Sequence, residues 1–275
     1  MTADSTLQIA AQEIVGSGSG LRQLWRSRDL LANLTAREFS LKYQRSLLGF
    51  GWTLLNPILT VTILLAVFTR VIRVPIPDYW AFLLSGYFAW HFMSYVLNSG
   101  GSMLLEYKAM IRSAPIPNEV PVLAHVFSRL LESAIEIAAV ALLVAVAHHG
   151  SLPASYSLLP LLLAMQLLIA TGLVLPVAAY SIFYFDVRQM LPIVLTAMFY
   201  VTPVFYSLDL VPQPFRYVLL LNPIAGLLSL YQSVLYEGRI PPAWALLAMS
   251  SVSIALAWIG YAIFNRKKSA FAEIM

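Results

Sequence analysis

Long apolar runs alternate with short polar breaks along this chain. About 20 apolar residues suffice to cross a bilayer core as a helix. Six runs qualify: roughly 54–74, 79–101, 119–147, 156–184, 188–206 and 242–264. A seventh, Tyr217 to Tyr236, has the length but is interrupted by Asn222-Pro223 and by Gly226. Proline removes a backbone donor and disfavours helix at the residue before it. The pattern therefore predicts an all-α integral membrane protein with six transmembrane helices. It makes residues 207–240 an external re-entrant helical hairpin between the fifth and sixth spans, hinged at Asn222-Pro223. Irregular backbone at membrane depth survives only against protein or a wet cavity. That suits a lid over the outer end of a pathway; a hairpin that merely packs is the alternative.

Ahead of the first run the period changes. On a helix over residues 21–40, Arg22, Arg26, Asp29, Asn33 and Arg37 share one stripe, with Leu21, Leu24, Trp25, Leu31 and Ala32 opposite. Such a pattern predicts an N-terminal amphipathic helix in the membrane interface. Arg28 falls on the apolar side, where its stem can snorkel. Residues 1–20, ending Gly16-Ser17-Gly18-Ser19-Gly20, carry no apolar core of signal-peptide length. They are expected to be a flexible cytoplasmic tail, which leaves residues 21–275 as one transmembrane domain and no room for a soluble catalytic one.

Composition agrees with the pattern: 60% of residues are hydrophobic and 11% charged, with a mean hydropathy of +0.77, far from the balance of a water-soluble domain. Charge then supplies orientation. With six spans and an internal N-terminus, Arg22, Arg26, Arg28, Arg37, Lys42, Arg45, Lys108, Arg112, Arg129, Arg188 and the Arg266-Lys267-Lys268 cluster fall on or near the cytoplasmic side. Arg70, Arg73, Arg216 and Arg239 fall outside. A crossing by Tyr217–Tyr236 would force the C-terminal cluster outside, against the positive-inside rule. Both termini are therefore expected in the cytoplasm.

Several chemistries are excluded. The chain has no cysteine, so it has no disulfide, thiolate nucleophile or Cys-ligated metal. No Gly-Lys pair occurs, so there is no phosphate loop of the form G-x-x-x-x-G-K-[ST]. A partner protein or an ion gradient must supply energy. His148-His149 lacks a third ligand, and no metal site is expected; His91 reads as a satisfied interior residue. No Ser-His-Asp pattern, H-E-x-x-H helix or nucleotide fingerprint is present.

Two polar clusters stand out. His125, Arg129, Glu132 and Glu136 lie at i, i+4, i+7 and i+11 on one face of the third run. Ionisable groups inside a membrane nearly always face protein or water. An intramembrane polar network with an Arg129–Glu132 pair is the first reading, and conformational coupling and proton relay are the alternatives. Between the second and third runs, Glu106, Lys108 and Arg112 occupy a short charged helix at about 103–114, and Pro115-Ile116-Pro117 ends it. Such a helix can pass a push from a soluble partner; a plain solvated loop is the alternative.

The stretch Lys42–Pro57 carries a family resemblance. Lys42-Tyr43, Ser46, Leu48-Gly49, Trp52 and Pro57 are similar to the start of the first span in membrane subunits of ABC transporters that export polysaccharides such as O-antigen, capsule and teichoic acid. In the same order along the chain, Tyr79–Trp90, Phe183–Arg188, Thr202–Tyr206, and Leu221-Asn222-Pro223 with Tyr231-Gln232 resemble further family signatures. Phe185 and Gln232 stand where the pattern usually has Arg.

The resemblance implies a non-catalytic subunit of the bacterial cytoplasmic membrane, a homodimer paired with two copies of a separate ATPase chain. ATP and Mg would be bound by that partner, with no cofactor on this chain and no nucleic-acid partner. Arg37, Lys42 and Arg45 would attract the diphosphate of a lipid-linked glycan, each surface cation adding about 1 kcal/mol near an anionic leaflet. Trp52, Phe199, Tyr200 and Tyr206 would line the channel, where aromatic faces suit sugar rings. Glu106, Lys108 and Arg112 would dock on the ATPase. A drug or small-lipid ABC exporter is the nearest alternative. An ion-coupled secondary transporter using Glu132 and Glu136 is more remote, because such folds favour paired broken helices and only one broken segment is present. A membrane-embedded glycosyltransferase would need paired carboxylates outside the third run, and none is found.

Overall fold

The computed structural model describes residues 24–43, 49, 51–113, 116–147 and 152–274, and helix is the only regular secondary structure among them. The helices are α1 (Arg28–Tyr43), α2 (Gly51–Ala66), α3 (Tyr79–Gly100), α4 (Met103–Glu106), α5 (Lys108–Ser113), α6 (Glu119–Ala147), α7 (Leu159–Phe183), α8 (Phe185–Val201), α9 (Gln213–Leu220), α10 (Pro223–Tyr231) and α11 (Ala243–Ile274).

Each of the six apolar runs is helical over most of its length, the fifth only as far as Val201. Among the described residues, three helical segments are long and apolar enough to cross a membrane: Glu119–Ala147, Ala154–Phe183 and Ala243–Lys268. The other three runs differ for readable reasons. Helix α2 continues as a π-helical turn over Val67–Ile72, and its apolar part, Pro57–Ile72, is short. Helix α3 has 22 residues, but its Tyr, Trp and His side chains dilute its hydropathy. Helix α8 has only 17.

At the centre sits α3, contacted by α2, α6, α7, α8 and α10; Leu83, Phe92, Met93 and Val96 are fully buried in it. The tightest pairing joins α7 to α11, where Gly172 and Gly260 let two backbones meet. A Cβ on Gly260 would lie 2.0 Å from the Gly172 carbonyl oxygen, and one on Gly172 would lie 2.5 Å from Leu256 backbone atoms. Small residues permit this approach between membrane helices, which lack a hydrophobic drive toward one another.

Helix α1 does not stand apart from the bundle. Leu34 packs with Val120 and Ala124 of α6, with Leu24, Leu30 and Leu31 around it, so α1 runs alongside the first half of α6. Trp25 is largely exposed, and Arg28 turns outward toward Asp29 at 3.7 Å rather than burying on the apolar side. The charged segment after α3 forms two short helices, divided at Tyr107, whose backbone leaves helical geometry. Near the chain's end, Lys268 Nζ donates to both oxygens of the buried Glu119 carboxylate, at 2.8 and 3.0 Å. The start of α6, helix α1 and the C-terminal basic cluster therefore share one end of the molecule. The opposite end joins other loops: Tyr236 donates to the Pro77 carbonyl at 2.7 Å and Ser155 to that of Val234 at 3.0 Å.

The interrupted seventh stretch forms two short helices, α9 and α10, meeting at Asn222-Pro223. Asn222 explains the break: its side-chain oxygen caps α10 by accepting from the Ile224 N–H at 3.0 Å, and Pro223 occupies the first helical position, where its missing N–H costs nothing. The Asn222 amide donates to Thr202 Oγ1 at 3.0 Å, that of Gln232 to the Pro203 carbonyl at 3.0 Å, and Tyr79 OH to the Phe205 carbonyl at 2.7 Å. Segment 202–206 is thus tied from three sides.

Candidate functional site

The polar stripe of α6 meets α1 and α3 in one continuous network. Arg129, fully buried, is at its centre. Its Nη1 donates to Glu132, and its Nη2 donates to His91 Nδ1 at 2.7 Å and to Glu136 Oε1 at 3.3 Å. The guanidinium also lies over the Tyr95 ring, 4.7 Å from its centroid. Glu132 Oε2 is shared: Lys42 Nζ, from α1, donates to it at 2.7 Å and sits 4.6 Å from the same Tyr95 ring. Burying charges is costly unless they are paired and hydrogen-bonded, and this geometry supplies pairs from three helices.

A second branch anchors α1. Tyr107 OH donates to the Glu38 carboxylate, and His125 Nδ1 lies 3.8 Å from its other oxygen. Ser99 gives its hydroxyl proton to the Tyr95 carbonyl at 2.6 Å, so in its 2.7 Å bond with His125 Nε2 it accepts. The nearby His125 ring is the largest influence holding the Glu38 carboxyl below its usual range, against burial. Burial draws Lys42 below the usual lysine range despite its carboxylate partner. Burial, reinforced by Glu38, raises the Tyr107 phenol. An open cleft of about 410 Å³ lies among Glu38, Lys42, Tyr95, His125, Arg129 and Glu132.

A second cleft, of about 340 Å³, opens between α2, α3 and α8. Tyr87, Trp90, Phe199 and Tyr200 supply aromatic walls, while Thr60, His91, Ser94, Asn98 and Thr196 supply polar groups. Trp90 and Phe199 are tilted against each other at 5.8 Å, and Phe199, Tyr200 and Phe205 form a further aromatic cluster. Rings with a few convergent polar groups are the usual make-up of a site for a partly polar organic ligand.

The sequence-predicted residues distribute as follows. The α6 quartet His125, Arg129, Glu132 and Glu136 is one network. Phe199 and Tyr200 line the aromatic cleft; Trp52 is exposed on α2, and Tyr206 donates to the Val201 carbonyl at 2.6 Å. Of the expected substrate-attracting cations, Arg37 is exposed on α1, Lys42 is paired with Glu132, and Arg45 lies outside the described residues. Glu106 accepts from Ser102, Lys108 is half-buried and Arg112 exposed. Pro115, the tail 1–20, His148 and His149 also lie outside the described residues. Among the described residues, no three His, Asp or Glu side chains converge as a metal-holding group.

Sequence reasoning missed Glu38, Tyr95, Ser99 and Tyr107, and it took His91 only as interior. Two signals were available: Glu38 and Lys42 stand at i, i+4 on one face of α1, and His91, Tyr95 and Ser99 repeat at i+4 along α3.

Comparison with known proteins agrees along the chain. Residues 29–236 match the family described as ABC-2 type transporter. The chain is 30% identical over 256 residues to the O-antigen export system permease protein RfbA of Myxococcus xanthus, spanning 92% of this chain and 98% of that relative. A protein of the same description from Klebsiella pneumoniae is 28% identical over 250 residues, 90% of this chain and 95% of its own. The polysialic acid transport protein KpsM of Escherichia coli is 23% identical over 244 residues, 86% and 93% of the two chains.

Proposed function

The chain belongs to the ABC-2 type transporter family, and from that premise we propose that it is the membrane subunit of an exporter carrying a lipid-linked polysaccharide across the cytoplasmic membrane. The observation that carries this reading is the near end-to-end likeness to O-antigen export permeases. The aromatic cleft supports it: pyranose rings present C–H faces that stack on Tyr, Trp and Phe, and hydroxyls that bond Asn98, Ser94 and Thr196. ATP hydrolysis belongs to a separate chain, in keeping with the missing phosphate loop.

In this reading six helical segments cross, two subunits enclose the path, and α9–α10 form a re-entrant lid at its outer end. The meeting of α1, the start of α6 and the Lys268 region at one end of the molecule supports an even number of crossings. Helix α6 has 29 residues, about 43 Å, against a hydrocarbon core of about 30 Å. Its first turns can therefore stand outside the core with α1. Helices α4 and α5, with Glu106, Lys108 and Arg112, offer the ATPase a charged docking surface.

Arg37, Lys42 and Arg45 receive the diphosphate, with Lys42 exchanging Glu132 for phosphate oxygens. Deleting the gene should strand lipid-linked glycan at the inner leaflet; normal surface polysaccharide in the deletant would overturn the function. Neutralising all three cations should reduce export while the ATPase still co-purifies, and unchanged export would refute their role.

A further inference from the structure

One side chain links the two clefts. His91 lines the aromatic cleft, while its Nδ1 is bonded to Arg129, which lines the charged one. A guanidinium has no acceptor, so Nδ1 must accept, and the neutral ring carries its proton on Nε2. Tyr87 stacks on the imidazole at 5.9 Å and 14°, which limits its rotation. Nε2–H has no protein acceptor among the described residues, although the ring is mostly buried. It is a donor left for whatever fills the cleft.

On its other side the ring helps balance Arg129, whose charge is divided among His91, Glu132 and Glu136. Glu136 keeps one buried oxygen without a partner, and so does Arg129 at Nε. The division is therefore not saturated, and a shift at His91 changes how strongly Arg129 holds Glu132. Glu132 Oε2 is the same atom that holds Lys42.

We propose that His91 senses cargo: its Nε2–H donates to a hydroxyl of a sugar ring in the aromatic cleft, and Nδ1 transmits that contact through Arg129 to the Lys42–Glu132 pair on α1. This rests on the polysaccharide reading. It adds a ligand contact and a route by which glycan in the path loosens the helix at the loading end.

Two substitutions separate the halves of the imidazole. In His91→Asn the amide oxygen replaces the Nδ1 acceptor and the distal donor is lost; in His91→Gln the amide nitrogen replaces the donor and the acceptor is lost. The assay is ATP hydrolysis by the permease–ATPase complex in liposomes. It is titrated with lipid-linked glycan extracted from the source cells, with undecaprenyl phosphate as the sugar-free control. His91→Asn should need roughly five- to tenfold more glycan for half-maximal stimulation, the worth of about one hydrogen bond. His91→Gln should keep the wild-type half-maximal concentration and lose most of the stimulation.

Identical titrations for the two variants and wild type would overturn the proposal. A wild-type complex that ignores the glycan would overturn the polysaccharide reading itself. A readout with His91 intact guards against misfolded variants: because the chain has no cysteine, S128C places a single thiol in the charged cleft. Its labelling rate should change at least threefold when glycan saturates the complex, and a constant rate would refute transmission.

Discussion

Among individual side chains, Arg129 has the largest consequence for stability. Replacing it by Met would leave Glu132 and Glu136 buried without their main cation. Breaking a buried pair by removing one partner typically costs about 3–5 kcal/mol, so R129M should lower the thermal midpoint in detergent far more than R112M, whose side chain is exposed. Equal midpoints would contradict the network. Glu38 gives a pH prediction. Its carboxyl faces His125 and Tyr107, with Arg37 adjacent, and it titrates below the usual 4.5. A depressed acid stabilises the fold above its ordinary range and loses that contribution as pH falls through the depressed value. Docking of α1 should therefore weaken as pH falls below about 4.5, as read by hydrogen exchange over 28–43. Glu38→Gln should show weaker protection at pH 7 and a flatter pH response. The stripe His125–Glu136 was legible in the sequence because helical spacing is local. Its partners were not, since Lys42 and Glu132 are 90 positions apart.

Between elements, α7 and α11 depend on close backbone approach. Gly260→Ala would drive a Cβ into Gly172 backbone atoms, the carbonyl oxygen at 2.0 Å and Cα at 2.7 Å, and neither can move without separating the helices. Overpacking of this kind costs about 1–3 kcal/mol. Gly100→Ala is the contrast: the clash there is with one Val174 methyl, Cγ2 at 2.1 Å, which a rotamer change can relieve. Thermal unfolding should rank G260A well below G100A, and the reverse order would show that α7 and α11 tolerate separation. The hinge at Asn222-Pro223 was readable because proline and a capping Asn act within a turn. The ties from Asn222, Gln232 and Tyr79 to segment 202–206 were not, since nothing in a local pattern names a partner in another element. Gln232, which departs from the family's usual Arg, uses a neutral amide to hold the Pro203 carbonyl.

For the whole molecule, the six-crossing arrangement is directly testable in a cysteine-free chain. Single cysteines at Lys108 and Arg266 should react with impermeant reagent only from the cytoplasmic side, and those at Arg73 and Arg239 only from outside. Labelling of R266C from outside would mean that residues 217–236 cross and that the count is seven. By itself the sequence determined where the long apolar helices lie, that the chain breaks at Asn222-Pro223, that these residues hold no phosphate loop, and which family the chain resembles. Apolar run length, proline, glycine and short motifs act over neighbouring residues and need no partner. Only the tertiary structure decided that Lys42 is held by Glu132, that Glu38 docks α1 on His125 and Tyr107, and that His91 joins an aromatic cleft to a charged one. Those pairings depend on which helices pack together and in what register, and that is fixed by the sum of contacts between elements distant in the chain.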